Sequence, residues 1–240
     1  MHRDKSIKEI NKMDALERWN TAKEKLNNSD NNGAVSALIN HLSIHENSRW
    51  LNFRPELANQ VPTSRAANAF YALQMTNIHY EIIRLCTFWD PIDLDSNSVP
   101  TIVALADSTS VAQLVYNDHF SHYELYDKAL AERWGNKAKD KLQNGVRDAK
   151  IIENSSILKS TRNYRDKLAH QIEQTREEKK GPVPVPRFGD ERKLLENTIS
   201  VMDQLYLSLH GTDFDWEGSK DMRTRNAAAF WKGVKIEVLN

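Results

Sequence analysis

Ser160-Thr161-Arg162-Asn163-Tyr164-Arg165-Asp166-Lys167-Leu168-Ala169-His170-Gln171-Ile172 is the stretch from which the fold is read. On a helix at ~100° per residue, Ile157, Thr161, Tyr164, Leu168 and Ile172 fall within one arc of roughly 80°, the width of a core-facing stripe. Arg162, Asn163, Asp166, Ala169 and His170 fall on the opposite side, and Arg165 sits at the edge between the two faces. The back of the helix thus carries a guanidinium, an amide, a carboxylate and an imidazole, with one small residue that lets another surface come close. Asp166 and His170 are spaced i,i+4, within hydrogen-bonding range, and a carboxylate there can hold the imidazole in one tautomer and raise its pKa. The same pattern also fits a plain solvated face, the ordinary fate of charged residues on a helix back.

Outward from this stretch the spacing predicts a helix over 156–177, capped by Asn154, Ser155 or Ser156. Glu177 to Pro186 then breaks it, and alternating prolines suggest an extended connector. Asp190 is expected to cap a last long helix over 191–209, ended by Gly211. The tail, 212–240, is less regular. Trp216, Phe230 and Trp231 suggest packing onto the rest, and Val234–Val238 alternates like a strand.

Upstream, residues 5–27 read as one helix and 33–46 as a shorter one, with 48–62 irregular. Thr63 is expected to cap a long helix over 64–89. The loop Asp90–Pro100 contains Asp93-x-Asp95-x-Asn97, which lacks the glycine and late glutamate of a calcium loop; Ser98 ahead of Pro100 suits a helix cap better. A short helix over 99–107 and a long helical stretch over 109–150 follow, with Gly135 and Gly145 as points of bending or breaking. His119 and His122, at i,i+3, lack a third ligand at metal-binding spacing and read better as a partly buried pair. The expectation is an all-α chain. The helices at 64–89, 109–150, 156–177 and 191–209 suit a four-helix bundle, with extra N-terminal helices and a C-terminal extension. The chain reads as a single domain over 1–240, with an N-terminal helical extension to 60, a core bundle over 61–210 and a tail from 211.

The 240 residues allow a sizeable core, and only 8 glycines and 7 prolines favour long elements. The 33 basic and 33 acidic residues cancel, which argues against broad coating of nucleic acid but leaves room for a local basic cleft. One cysteine, Cys86, excludes an intrachain disulfide and a multi-cysteine zinc site. MHRDKSIKEINK at the start is too charged for a signal peptide. No apolar run approaches the ~20 residues of a membrane span, so the expectation is a cytoplasmic chain without a membrane partner.

Arg165-Asp166-Lys167-Leu168-Ala169-His170 reads R-D-x-x-A-H. It resembles the R-x4–6-H signature of the HEPN superfamily (higher eukaryotes and prokaryotes nucleotide-binding), where a polar residue usually follows the arginine. The abortive-infection U-like branch is the most similar, over residues 60–210. The resemblance implies a metal-independent endoribonuclease without cofactor that leaves a 2′,3′-cyclic phosphate and a 5′-hydroxyl. It also implies a homodimer whose motif helices face each other across the cleft. That last feature answers a geometric difficulty, because Arg165 and His170 lie ~140° apart around one helix.

On this resemblance His170 transfers protons, Arg165 binds the phosphate and its transition state, and Asp166 orients His170 or shapes the cleft. Arg162 and Asn163 share that face as auxiliaries, and Lys159 and Lys167 could touch the RNA backbone. A toxin or antiphage abortive-infection effector, with RNA as substrate and an antitoxin or activator as partner, is the implied setting. Ile172 stands where some HEPN toxins carry a tyrosine that an antitoxin modifies, which puts that route of regulation in doubt. The alternatives are a non-catalytic HEPN module binding RNA, a nucleotide or a protein, and a helical scaffold in which the motif is coincidence.

Overall fold

The computed structural model describes residues 2–27, 30, 32–61, 65–170 and 173–237, with the side chains of His2, Arg65 and His170 outside that description. The expected cap Thr63, together with Ile172 and Val238, also lies outside the described residues. The described chain is all-α and contains no strand. Its helices are α1 His2–Ile10, α2 Ala15–Leu26, α3 Ala34–Phe53, α4 Pro55–Ala58, α5 Arg65–Thr87, α6 Val99–Ala106, α7 Thr109–Ser121, α8 Lys128–Glu153, α9 Ser156–His170, α10 Asp190–His210 and α11 Trp216–Trp231, with a 3-10 turn at Glu178–Lys180.

The core is built from leucines and aromatics at helical spacing. Leu26, Leu38, Leu42, Leu85, Trp89, Ile102, Leu105, Leu142, Leu158, Leu194 and Met202 are among its fully buried side chains. Helix α6, Val-Pro-Thr-Ile-Val-Ala-Leu-Ala, is apolar almost all round and is accordingly buried on nearly every side, against α2 and α8. Helices α5, α8, α9 and α10 pack on one another, and α7 runs along α8. At the other end α3 is flanked by α5 and α11. A smaller apolar cluster there joins Trp50, Leu57 and Ala227.

Several expected boundaries move. The helix expected over 5–27 is two, because Asp14 accepts the amide of Glu17 at 2.8 Å and starts α2 afresh. The segment expected to be irregular after 46 continues α3 to Phe53, since Ser48, Trp50 and Leu51 remain on its buried side. The helix expected over 109–150 is interrupted at 122–127, where Asp127 caps α8 through the amide of Leu130 at 3.0 Å. The two glycines taken for breakers sit inside α8 as contact points. A Cβ on Gly135 would lie 2.8 Å from the Tyr116 ring of α7, and one on Gly145 would lie 3.2 Å from Leu205 of α10.

At the C-terminal side the cap of α10 is Gly189 rather than Asp190, whose carboxylate instead accepts the Arg187 amide at 2.8 Å. Gly211, at φ 78°, ends α10 as expected. Residues 234–237 form no strand; Gln60 hydrogen-bonds the backbone of Val234 and Ile236 in place of a partner strand. Trp216 joins the core, and Trp231 donates to Asn47 at 2.8 Å, whereas Phe230 is exposed.

Candidate functional site

Helix α9 begins where the Ser155 hydroxyl accepts the Leu158 amide at 3.2 Å. Leu158, one position off the expected arc, is wholly buried. Ser160 and Thr161 are buried too, each turning its hydroxyl onto the Ile157 carbonyl of its own helix. Ile157, Tyr164 and Leu168 of the arc are half-buried, and Tyr164 reaches His79 of α5 at 3.3 Å. The polar side is not a solvated face. Asn163 is buried, and Arg162, Arg165 and Asp166 are half-buried. Only Lys159, Lys167 and Ala169 are exposed in this part of the helix.

Two neighbouring segments cover that side. The first is the end of α5 and the residues just beyond it. Trp89 is held in the core, its indole N–H donating to the Thr198 hydroxyl of α10 at 2.9 Å, and its carbonyl accepts an N–H of Arg162. Asp90, next along, accepts from Arg165 at 2.8 Å. Arg165 also places Nε and Nη2 on Asp166, at 2.9 and 2.8 Å. One guanidinium is therefore committed to two carboxylates, and only 20% of its side chain is exposed.

The second cover is the segment 173–180, which folds back along α9. Thr175-Arg176-Glu177-Glu178 forms a reciprocal capping box: Glu178 N–H donates to the Thr175 hydroxyl at 3.1 Å, and Thr175 N–H donates to the Glu178 carboxylate at 3.1 Å. Thr175 also donates its hydroxyl proton to Asn163, whose amide reaches Glu178 at 3.4 Å. Lys167 pairs with Glu178 at 2.5 Å. The Glu178 carboxyl is held below its usual pKa, first by that lysine and then by the Thr175 amide.

Between these covers lies a cavity of about 170 Å³ at Arg162, Arg165 and Asp166, walled by Glu153 at the end of α8, Arg176, Glu177 and Lys180 of the returning segment, and Arg3 of α1. Burial lowers the Arg162 pKa, while the carboxylates of Glu153 and Glu177 act in the opposite direction. Cys86 lies within electrostatic reach of both arginines, yet burial pushes its thiol up to about 12, so it stays neutral. A larger cleft, about 760 Å³, opens between α7 and α8 and contains none of these residues. Its cations Lys150 and Arg147 are already paired with Asp107 and Asp148.

The sequence-based site residues are thus brought together in part. Arg162, Arg165 and Asp166 share one cavity. Asn163 faces the returning segment, Lys167 is paired beside it, and Lys159 is exposed on the flank. His170 closes the helix, and its side chain lies outside the described residues. Sequence reasoning missed Asp90, Thr175, Arg176 and Glu178. Of these only the T-x-x-E capping box at 175–178 carries a signal legible in the chain; nothing local announces that Asp90 meets a residue 75 positions later.

A chain whose described regular structure is all helix, with an Arg-x4-His helix packed among its long helices, has the form of a HEPN protein. The AbiU2 family model (HEPN_AbiU2) matches residues 32–230, from the start of α3 to the end of α11, and the chain belongs to that family, an abortive-infection branch of the HEPN superfamily. No curated protein and no solved structure matches the chain. No described helix is long and apolar enough to cross a membrane.

Proposed function

We propose that this protein is a metal-independent endoribonuclease acting as an abortive-infection effector or toxin. The observation that carries the reading is the cation-rich cavity on the motif helix of a chain matched to the AbiU2 family. In the reaction the ribose 2′-oxygen attacks the adjacent phosphorus while a base takes its proton. The P–O5′ bond breaks, and an acid protonates the leaving 5′-oxygen. The products are a 2′,3′-cyclic phosphate and a 5′-hydroxyl. His170 performs the proton transfers, because an imidazole titrates near neutral pH. Arg165 stabilises charge on the phosphoryl oxygens, because a guanidinium is always charged and can bind two oxygens at once. Asp166 orients that guanidinium. A homodimer brings two motif helices to one cleft and supplies a second histidine.

The test is incubation of the purified protein with mixed tRNA and mRNA in EDTA, with His170→Ala as control. Cleavage leaving cyclic phosphate, abolished in a variant that still folds, supports the reading; no cleavage by a folded dimer counts against it. One observation favours a second reading, a non-catalytic RNA-binding HEPN module. The donors of Arg165 that would meet a phosphate are occupied by Asp90 and Asp166. That reading expects RNA binding without turnover.

A further inference from the structure

The charges around the motif cavity are unequally satisfied. Five cations and three carboxylates line it, in a chain whose formal charge is zero. Asp166 is taken up by Arg165, and Glu177 by Lys180 at 3.1 Å. The third carboxylate, Glu153, faces Arg162 electrostatically. Arg3 and Arg176 are exposed, and neither has a salt-bridge partner among the described residues. The only hydrogen bond of Arg162 to described residues goes to a backbone carbonyl, that of Trp89, which leaves most of its five donors uncommitted.

Three guanidiniums with free donors therefore converge on one small cavity from three separate parts of the chain: α1, α9 and the returning segment. Arginine's planar fork suits an oxyanion with several equivalent oxygens. At about 170 Å³ the cavity is smaller than the roughly 300–1,000 Å³ of pockets that enclose a whole drug-sized ligand, so it suits a single group rather than an entire nucleotide. Of the two carboxylates not held by Arg165, Glu177 is already paired with Lys180, which leaves Glu153 facing the three guanidiniums.

We infer that this cavity binds a phosphoryl group through Arg162, Arg176 and Arg3, at a position adjacent to and separate from the one served by Arg165. Two sources offer that chemistry. One is a phosphodiester of an RNA strand next to the scissile bond, a source that rests on the ribonuclease reading. The other is the phosphate of a small ligand such as a nucleoside monophosphate, which does not.

The experiment uses the full-length protein, and the same protein carrying Arg3→Ala and Arg176→Ala together. Both side chains are exposed and have no salt-bridge partner among the described residues, so the double variant is expected to fold. Binding of a 2′-O-methyl RNA oligonucleotide, which cannot be cleaved through its 2′-oxygen, is followed by anisotropy. Inorganic phosphate and adenosine 5′-monophosphate are titrated calorimetrically and as competitors. The expected result is at least a tenfold loss of RNA affinity in the double variant, with a salt dependence shallower by about 0.7 per lost contact. Phosphate or the monophosphate competing with RNA on the wild type and not on the variant assigns the small-ligand source as well. RNA affinity that falls while neither small ligand binds assigns the RNA backbone alone. Unchanged RNA affinity, salt slope and phosphate binding in the double variant overturns the inference. Cleavage in EDTA is measured in parallel: its absence from the wild type strikes the ribonuclease reading only, and its persistence with unchanged binding strikes the phosphoryl site only.

Discussion

Thr175→Val removes one hydroxyl while nearly preserving side-chain volume. In the native chain that hydroxyl is wholly buried and does two jobs, accepting the Glu178 amide at 3.1 Å and donating to the carbonyl oxygen of buried Asn163. Valine can do neither. Losing a cap of this kind costs about 0.5–2 kcal/mol, and leaving a buried acceptor unpaired costs about 1–3 kcal/mol. The two together come to about 3 kcal/mol. The loss falls on the returning segment, because the lost hydrogen bonds are the one that caps it at Glu178 and the one that ties it to Asn163 of α9. The opening equilibrium of 173–180 should therefore rise about 100-fold.

Amide hydrogen exchange at Glu178 and Lys179 reads that equilibrium directly, since both amides bond to Thr175, one through its hydroxyl and one through its carbonyl. Exchange at Leu142 and Met202, deep in the core, is the internal control. Thr175→Ser keeps the hydroxyl and should stay within a few-fold of wild type. Unchanged exchange at Glu178 and Lys179 in the valine variant would refute the reasoning, because the segment would then be held by something other than this pin. Opening throughout the molecule would refute it differently, by showing that 173–180 is part of the global fold. The same variant is expected to weaken phosphate binding, as the segment carries Arg176 and Lys180 to the cavity.

Gly135→Ala should destabilise the fold by about 1–3 kcal/mol in urea titration, since its Cβ would meet the Tyr116 ring at 2.8 Å and the Tyr116 carbonyl at 3.0 Å. His41 is buried with both ring nitrogens unpartnered among the described residues, and burial lowers its pKa from 6.5 to about 4. A folded-state pKa below the unfolded one means that acid protonates the unfolded chain first, so stability falls as pH drops from 6.5 towards 4 and loses nothing more from this group below that. Urea titrations should show about 2 kcal/mol of this loss between pH 7 and 5, absent in His41→Leu. Asp90→Asn should cost at most about 1 kcal/mol of stability in urea titration, as the pair is partly exposed and asparagine keeps an oxygen that can accept from Arg165.

Local signals in the chain were a good guide to where helices lie and a poor guide to where they stop. Gly135 and Gly145 look like breakers, yet both are helical, because what they provide is close approach to α7 and α10 rather than a turn. The true interruption, His122-Tyr123-Glu124-Leu125-Tyr126-Asp127, contains no glycine or proline, and only Asp127 marks it as a cap. The motif helix was legible as a helix, but its burial was not. A single apolar stripe describes a helix covered on one side, whereas α9 meets α5, α8 and α10 and is covered again by 173–180, so Leu158 and Asn163 are buried off the stripe. Arg162, Arg165 and Asp166 were found because they share a helix, a local relation. Asp90 and Arg176 were missed because their place at the site depends on loops returning from elsewhere.

The arrangement at Arg165 bears on how such a site would be used. A guanidinium between two carboxylates carries local net negative charge, and an incoming phosphate meets repulsion there before it meets a free donor. Across the same cavity Arg162, Arg176 and Arg3 offer donors against fewer carboxylates, since Glu177 is taken up by Lys180, which leaves Glu153 facing Arg162. On the ribonuclease reading, a strand would therefore be captured by the second group of arginines and presented to the first, and engagement of Arg165 would require Asp90 to let go. The two steps separate by mutation. Arg3→Ala with Arg176→Ala should raise the RNA concentration needed for half-maximal cleavage with little change in the saturated rate, because those residues act on capture. Asp90→Asn should alter the saturated rate, because Asp90 acts on the arginine nearest the chemistry. Equal effects of both variants on both parameters would mean that the cavity works as one site, and the distinction between capture and engagement would fall.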